Sequence, residues 1–488
     1  MASEKGHRTL ATWQTPRRWA TWVLALCLGS MAAGGQAAVG APSAQAGAGL
    51  PYIIGLHEAY LTPDYWADRA PAPDVPMLDA ARIAAQNARM RETDPHIQDI
   101  AMLPPSLAAV QVRTAVQALS RWPARPLYDD RGTAISTARR RDIEANLGLD
   151  GVPASTPLRF GLVVARAALR TFPTGQRVFS APGDTDIDRF QESALFPGDK
   201  VAIIHRSADG AWLFVHSERY SAWIQARYVA IGARDTVLDY NTAGPHRVIT
   251  AAAAQTAYTP EEPRVSQLRL EMGVRVPLLA NWPPAVAVNG QQAHAGWVVQ
   301  LPVREPDGGL RLVPALLPRS QDSNPGALPL TPRLLLRQAY RFLGERYGWG
   351  HDYQARDCSG FVSEVYRSFG VLLPRNTGAQ AASPALDRIA FAATDGRRER
   401  ERAVAALQVG DLVYLPGHVM MVVGRVDGRT WVIHDTAGGG WVDSGGTRVQ
   451  ARLNGVSVTP LEPMLDSDGR RWVDRIVAIQ RLRAGASR

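Results

Sequence analysis

The stretch Arg356-Asp357-Cys358-Ser359-Gly360-Phe361-Val362 decides the fold of the C-terminal part of this chain. Behind the cysteine, apolar residues recur at the spacing of one helical face, up to Val365, Tyr366 and Phe369. Gly370 is suited to end such a helix in a left-handed cap. The pattern predicts a helix with Asp357 at its N-cap and Cys358 at its first position.

Cys358 is expected to be the only cysteine left after export, because the other cysteine, Cys27, lies in the apolar segment near the start. A lone cysteine in an exported protein has no disulfide partner. At a helix N-terminus, the dipole and the free N–H groups favour the thiolate, which is the nucleophilic form. The alternative is a buried cysteine with a structural role, and the helix pattern alone does not separate the two.

A thiol nucleophile needs a base within hydrogen-bond reach and a group that orients this base. His418 lies in an apolar run typical of a buried strand, and His434 ends a second short strand. A lone histidine in such a run is more often a core residue, but the cysteine at a helix start favours a placed base. We therefore take His418 as the candidate base and His434 as the candidate orienting residue.

The turn between these two strands decides whether the histidines share a face, because side chains alternate along a strand. A two-residue loop at Asp427-Gly428 places His418 and His434 on opposite faces. A three-residue loop from Val426 to Gly428 makes them diagonal neighbours. We predict the three-residue turn with its glycine left-handed. With the two-residue turn, Asp435 replaces His434 as the orienting candidate.

The length of 488 residues exceeds what one core can hold, and about three domains are expected. Turn signals at Asp209-Gly210 and Asn289-Gly290 separate short alternating strands and predict two small β-barrels. The predicted fold class is α+β multidomain, in which two small β-barrels precede an α+β domain with a helix packed on an antiparallel sheet. The predicted parts are a signal peptide at 1–38, a helical segment at 51–155, barrels at 157–235 and 245–303, and the last domain at 331–485, with Pro318 to Pro332 as the linker.

The first 38 residues predict export. Arg17-Arg18 end a basic region, and the apolar stretch from Trp19 to Met31 is shorter than the ~18 residues of a membrane span. Cys27 lacks the small preceding residue of a lipoprotein cleavage site, so neither a lipid anchor nor a membrane span is predicted. The expected location is the periplasm or cell envelope, or outside the cell.

Charge and motifs exclude several classes of function. The formal net charge is +9, and removing the +3 of residues 1–38 leaves +6, with no block of like charges. This gives no support for nucleic-acid binding. No histidine pair has metal-ligand spacing and no glycine-rich phosphate loop is present, so no metal or cofactor is predicted.

Several motifs together resemble the NlpC-type, papain-like cell-wall peptidases. The resemblance rests on Tyr347-Gly348-Trp349-Gly350, Asp357 to Val362, Leu373-Pro374-Arg375, Val409 to Leu412, Gly417-His418-Val419 and the later His434. Asp186 to Ser193 is similar to the bacterial SH3-type modules of multidomain members. The helical first segment is similar to the N-terminal clip that stabilises those barrels. The resemblance therefore implies a stabilising segment at 51–155, two SH3-like β-barrels and a papain-like α+β catalytic domain.

This resemblance implies that Cys358 is the nucleophile, His418 the base and His434 the orienting residue. The implied reaction is hydrolysis of an amide bond in peptidoglycan stem peptides or muropeptides through an acyl-enzyme. In the members it resembles, the target is the bond between γ-D-glutamate and the diamino acid in stems with a free N-terminal L-alanine.

The resemblance also implies a substrate pocket. Asp357 and Ser359 flank the nucleophile, and Tyr347 matches the pocket tyrosine. From the first barrel, Glu192 and Tyr220 are candidates for closing the pocket over the substrate amine. Alternatively, Glu192 only binds loop backbone and Tyr220 is a surface aromatic residue of the barrel.

His351 departs from the family pattern, because it stands where a second glycine often follows Trp-Gly. It is expected either to narrow the pocket or to face solvent, and a flexible loop is a poor place for the catalytic base. Two other functions stay open: a non-catalytic wall-binding protein, and a thiol acyltransferase in which an amine resolves the acyl-enzyme. The oligomeric state is not predicted.

Overall fold

The computed structural model describes residues 53–483. The predicted signal peptide and Cys27 lie outside these residues. Within residues 53–483, no helix combines the length and apolar character that crossing a bilayer requires.

The N-terminal segment is mainly helical. A short strand at Ser106–Ala108 directly precedes the helix that begins at Ala109. Asp79 and Ser136 cap two of the helices through backbone N–H groups. The elements are α1 (Pro63–Ala67), α2 (Ala80–Thr93), β1 (Ser106–Ala108), α3 (Ala109–Leu119), α4 (Thr137–Ala145) and β2 (Ser155–Pro157), which pairs with β1.

This segment contacts two other parts of the chain. Trp66 is buried and packs against Trp431, with ring centroids 6.1 Å apart. Val112 and Val116 on α3 pack into the core that holds Trp223 of the first β unit. The segment therefore joins the first β unit to the last domain.

The first β unit is a seven-stranded antiparallel sheet. Gly210 has a positive φ of 72° in the predicted turn between two of the strands. The strands are β3 (Arg159–Val163), β4 (Ala167–Arg170), β5 (Gln191–Leu195), β6 (Lys200–Arg206), β7 (Trp212–His216), β8 (Ser221–Gln225) and β9 (Val229–Gly232), in the order β5-β4-β8-β7-β6-β3-β9.

The second β unit follows helix α5 (Arg234–Asp239) and extends beyond the predicted end at residue 303. Two short strands of this unit, Arg269–Glu271 and Arg275–Pro277, are separated by Gly273, whose φ is 76°. The strands are β10 (His246–Ile249), β11 (Ala253–Gln255), β12 (Arg269–Glu271), β13 (Arg275–Pro277), β14 (Gly296–Arg304), β15 (Leu310–Pro318) and β16 (Ser323–Asn324).

The extension consists of β15 and β16. β15 pairs with β14 over nine residue pairs, although Pro314 lies within it. Proline is a signal against a strand because it lacks the N–H donor, but an edge strand tolerates it. β16 pairs with β10, so the expected linker from Pro318 to Pro332 begins as part of this unit.

The last domain packs helix α7 (Cys358–Arg367) on an antiparallel sheet of six strands, which confirms the predicted class. Phe361 and Val365 of α7 share one buried core with Val419 and Ile433 of the sheet. The remaining elements are α6 (Pro332–Tyr340), α8 (Thr377–Ala382), α9 (Arg397–Ala405), β17 (Asp387–Ala390), β18 (Leu412–Leu415), β19 (His418–Val426), β20 (Arg429–Thr436), β23 (Gly455–Pro460) and β24 (Ala478–Arg481), with the hairpin β21 (Gly439–Val442) and β22 (Arg448–Ala451). The sheet order is β17-β24-β18-β19-β20-β23.

Candidate active site

The nucleophile candidate lies at the start of α7, as predicted. Asp357 is the N-cap, and its side chain accepts a hydrogen bond of 2.8 Å from the Gly360 N–H. Cys358 is 6% exposed. Its Sγ lies 3.5 Å from Oγ1 of Thr377 and 4.0 Å from the carbonyl oxygen of Gly417. The thiol therefore lies beside the residue that precedes His418.

The two histidines meet where β19 begins. Pro416-Gly417, a pair typical of a type II turn, sets His418 at the first position of β19. Nε2 of His418 lies 2.7 Å from Nδ1 of His434. The predicted three-residue turn is nevertheless wrong, because Val426 pairs with Arg429 across a two-residue turn.

A β-bulge brings the histidines onto one face in spite of this turn. The pairing shifts by one residue between Val422 and Gly424, so Val423 is the extra residue. Beyond the bulge, Met421 pairs with Ile433, and the alternation again places His418 and His434 on the same side.

Two residues that the sequence did not single out hold His434 in place. Its Nε2 lies 2.9 Å from Oγ1 of Thr459 on β23. Trp472 packs edge-on against the His434 ring, with centroids 5.4 Å apart and planes at 88°. When His418 takes a proton on Nδ1, its Nε2–H donates to His434, whose own Nε2–H then donates to Thr459.

Asp435, the fallback candidate, is fully buried and lies on the opposite side of β20 from His434. Burial and the neighbouring Asp357 raise the pKa of its carboxyl to about 9, so the group is neutral near pH 7. An uncharged carboxyl on the wrong face does not orient His418.

The electrostatics of the thiol differ from the expectation for a helix start. Burial, followed by the negative charge of Asp357, raises the pKa of Cys358 to about 12. Burial also lowers the pKa of His418 below its usual range. A thiol with a raised pKa stays protonated, and an imidazole with a lowered pKa stays neutral, so both are uncharged at neutral pH.

We therefore expect no resting thiolate at neutral pH. The measurement is the ultraviolet absorbance of the thiolate across a pH titration, taken as wild type minus Cys358→Ala. The difference signal should appear only at alkaline pH, towards the pKa of about 12. A signal already complete at neutral pH would show a preformed thiolate–imidazolium pair and contradict the prediction.

Asp357 is at the centre of a polar network around the nucleophile. Besides Gly360, it accepts hydrogen bonds from the Gly350 N–H at 3.0 Å and from Ser359 Oγ at 3.2 Å. Both terminal nitrogens of Arg375 donate to it, at 2.8 and 3.1 Å. Arg375 also donates to Ser359 Oγ at 3.0 Å, so Ser359 supports the cap.

His351 neither narrows the pocket nor faces solvent. It is 5% exposed, and its φ of 66° lies in the left-handed region that glycine adopts more readily. Its Nδ1 lies 2.8 Å from Arg375 and its Nε2 2.7 Å from Glu364. Burial lowers its pKa to about 4, so it is a neutral bridge between two charged groups.

The first β unit approaches this network through β5. The Trp349 indole N–H donates to the carbonyl of Gln191, and Arg375 donates to Ser193 Oγ at 2.7 Å. Between these two contacts lies Glu192, which is half-buried. A Cβ on Gly350 would lie only 3.0 Å from the β5 backbone, so a residue with a side chain does not fit at this position.

Glu192 and Tyr220 contact each other. The Tyr220 hydroxyl donates to Oε2 of Glu192 at 2.5 Å, and Thr171 donates to Oε1 at 2.5 Å. Burial raises the pKa of Tyr220 well above its usual value, so the phenol stays a donor, and its hydroxyl also lies beside Arg375 and Asn376. Thr377, which follows Asn376, contacts the thiol.

Tyr347 is half-buried at the entrance of the same loop. Its backbone forms a parallel bridge with Arg356, and its N–H donates to the Asn454 carbonyl at 3.1 Å. These contacts place its backbone next to the residue that precedes Asp357.

Comparison with known proteins matches two segments of the chain to known families. Residues 344–453 match the NlpC/P60 family, and residues 177–225 match an SH3 domain of the SH3b1 type. The chain carries an NlpC/P60 domain. Cys358, His418 and His434 all lie within the NlpC/P60 match, and the SH3 match lies in the first β unit. The second β unit as an SH3-type module stays a prediction.

Relatives and solved structures agree with the NlpC/P60 assignment. A gamma-D-glutamyl-L-lysine dipeptidyl-peptidase of Bacillus cereus is 25% identical over 254 residues, which are 48% of this chain and 69% of that protein. A probable endopeptidase p60 of Listeria welshimeri is 46% identical over 50 residues, which are 10% of each chain. The structure of an NlpC/P60 endopeptidase from Photobacterium damselae subsp. piscicida has the same fold, with a TM-score of 0.67 at 16% identity, covering 85% of this chain and 95% of that one. The NlpC/P60 domain makes this protein a hydrolase.

Proposed function

We propose that this protein is a cysteine peptidase that hydrolyses peptidoglycan stem peptides or muropeptides. The proposed target is the bond between γ-D-glutamate and the diamino acid in stems with a free N-terminal L-alanine. The NlpC/P60 domain and the Bacillus cereus relative, whose name states a γ-D-glutamyl substrate, support this substrate class. No nucleic acid, metal or cofactor takes part in the proposed reaction.

One observation carries the proposal for the free amine. The first β unit brings the carboxylate of Glu192 beside Tyr220, whose hydroxyl adjoins Arg375 and Asn376 next to the nucleophile. A carboxylate near the cleft can pair with an ammonium group and not with an acylated nitrogen. Asp357, which also caps α7, is a second candidate for the amine, and Tyr347 is a candidate for the pocket wall.

The proposed reaction begins with attack of Cys358 Sγ on the carbonyl carbon of the scissile amide. The thiol proton passes to Nδ1 of His418, because Nε2 of this ring faces His434. The Gly360 N–H is bonded to Asp357, and the N–H groups before it have no acceptor within the helix. They can therefore stabilise the oxyanion at the start of α7.

The tetrahedral intermediate collapses when His418 gives its proton to the leaving amine. A thioester between Cys358 and the γ-D-glutamyl carbonyl remains. Water, deprotonated by His418, then attacks the thioester and releases the acid and the free thiol. If an added amine replaced water, the protein would be an acyltransferase, and the yield of new amide would depend on amine concentration.

Digestion of defined stems tests the proposal. Tripeptide and tetrapeptide stems, with a free or acetylated N-terminus, are digested and the products are identified by mass spectrometry. Because a hydrogen bond to a charged group contributes about 1.5–3 kcal/mol, acetylation should slow cleavage by about 10- to 100-fold. Equal rates for free and acetylated stems would contradict the amine requirement.

Glu192→Gln should remove most of this discrimination by slowing cleavage of the free stems alone. Glu144→Gln is the matched control, because Glu144 is an exposed carboxylate on α4. Discrimination that persists in Glu192→Gln would exclude Glu192 as the amine ligand and leave Asp357.

We further propose that the protein is exported to the periplasm or cell envelope, where this substrate occurs. The basic and apolar pattern of residues 1–38 supports this proposal. N-terminal sequencing of the protein recovered from the cell envelope should give a start near residue 39, and an intact Met1 would contradict export by cleavage.

A further inference from the structure

A cluster of charged side chains lies behind the loop that precedes the nucleophile. It contains four arginines and four carboxylates, so its formal charges cancel. Its members come from the first β unit, the second β unit and the NlpC/P60 domain. They are Arg166, Arg269, Glu271, Glu345, Arg356, Asp357, Glu364 and Arg375.

Arg356 is the centre of this charge cluster and is fully buried. Its Nε donates to Glu364 on α7 at 2.6 Å, and its Nη1 donates to both oxygens of Glu345, at 2.7 and 2.8 Å. Its Nη2 donates at 3.0 Å to Glu271, which is on β12 of the second β unit and has no exposed surface. Two carboxylates of the NlpC/P60 domain and one of the second β unit therefore fix the residue directly before Asp357.

Arg166 adds a contact from the first β unit. Its Nη1 donates to Glu271 at 2.5 Å, and its Nη2 donates to the carbonyls of His351 at 2.8 Å and Ala355 at 2.7 Å. The loop between those carbonyls contains left-handed residues, with φ of 57° at Tyr353 and 58° at Gln354. Nη2 of Arg166 therefore bonds both ends of this loop and stabilises its left-handed backbone.

His351 connects this part of the charge cluster to the cap of α7. Arg375 donates to its Nδ1, so Nε2 carries the hydrogen and donates to Glu364. The same Arg375 holds both oxygens of Asp357. A continuous path of buried polar contacts thus leads from Glu271 to the first turn of the helix that carries Cys358.

We propose that Glu271 and Arg166 are positioning residues for Cys358, through which the two β units hold the nucleophile in its reactive placement. The β units are then needed for the chemical step, independently of wall binding or substrate selection. The inference rests on the nucleophilic role of Cys358 in the proposed function and not on which bond is cleaved.

Alkylation of Cys358 by iodoacetamide tests this inference without any substrate. In a Cys27→Ala background, Cys358 is the only cysteine. A displacement of about 1 Å at a reacting group can cost about 100-fold in rate. Glu271→Gln should therefore lower the alkylation rate and kcat by about 10- to 100-fold, with KM for a defined stem changed less than about threefold.

Glu262→Gln is the matched control. Glu262 also lies in the second β unit and pairs with two arginines, Arg264 and Arg311, but these are substantially exposed. Its alkylation rate and kcat should equal those of the unsubstituted protein. An unchanged alkylation rate in a folded Glu271→Gln variant would overturn the proposal, even if the stem peptide were not cleaved at all.

Two further variants distinguish a role in positioning Cys358 from a role in the stability of the fold alone. Arg166→Lys keeps the positive charge, but an ammonium group cannot replace the two guanidinium nitrogens that reach Glu271 and both carbonyls. The alkylation rate should therefore fall about tenfold while the protein stays folded. Glu271→Gln with Arg269→Gln restores equal charges without restoring the bonds. Recovery of kcat in this double variant, or wild-type alkylation in Arg166→Lys, would show a structural role only and overturn the proposal.

Discussion

Replacing Cys358 with alanine is expected to reduce stem-peptide cleavage by at least about 10⁴-fold, because the substitution removes the sulfur that forms the proposed acyl-enzyme. The thiol is buried and makes only long contacts, to Thr377 and Gly417. Alanine fits the same space, so the melting temperature should change little. Product formation by mass spectrometry and thermal unfolding, measured on the same sample, check both statements.

Cys358→Ser is the control for the chemistry of the nucleophile. A hydroxyl keeps the shape of the site but has a higher pKa than the thiol, so His418 removes its proton less readily. The serine variant should therefore be nearly as inactive as the alanine variant. Cleavage by Cys358→Ala at more than a small fraction of the wild-type rate would contradict the role of the thiol.

Replacing His418 with alanine is expected to reduce activity by about 10²- to 10⁴-fold, the usual contribution of a positioned base. Burial raises the pKa of the Cys358 thiol, so attack at neutral pH requires a group that takes its proton. The bulge at Val423 places His418, the proposed base, on the same face as His434. Steady-state cleavage is measured together with circular dichroism, because His418 begins a strand of the six-stranded sheet.

His434→Ala is the matched variant for the orienting residue. It keeps the base but removes the ring that contacts Nε2 of His418, so activity should fall less than in His418→Ala. Both variants should keep the β-sheet signal. Wild-type turnover in a folded His418→Ala variant would contradict the role of His418 as the base.

The sequence predicts those parts of the site that depend only on neighbouring residues in the chain. The apolar spacing behind Cys358 and the acidic residue before it are enough to define α7 and its cap. The histidines were found because imidazoles are rare in apolar runs of this kind. Their pairing was predicted correctly, but by way of the wrong turn.

The bulge was not predictable, because a distant residue packs against it. Gly424 packs against Trp66 of the N-terminal segment, and a Cβ at this position would lie 2.6 Å from the Trp66 ring. That contact joins residues more than three hundred positions apart in the chain. No periodicity within β19 carries information about it.

The same limit applies to the charges around the nucleophile. The sequence shows Arg356 next to Asp357, but its partner Glu271 belongs to another unit. The buried role of His351 could not be predicted for the same reason, because its partners Glu364 and Arg375 come from α7 and from a later loop. Long-range pairing of buried charges depends on how the units pack, which single-sequence patterns do not encode.

The contact of Trp66 with Gly424 and Trp431 bears on how such enzymes can evolve. The strand that carries His418 packs at its bulge against a residue that precedes both β units. Gene fusion or recombination that transfers residues 331–485 alone would lose this contact, so an NlpC/P60 domain of this kind is not expected to work as an independent module. Units joined in this way are expected to be inherited together, as one block from the N-terminal segment to the last strand.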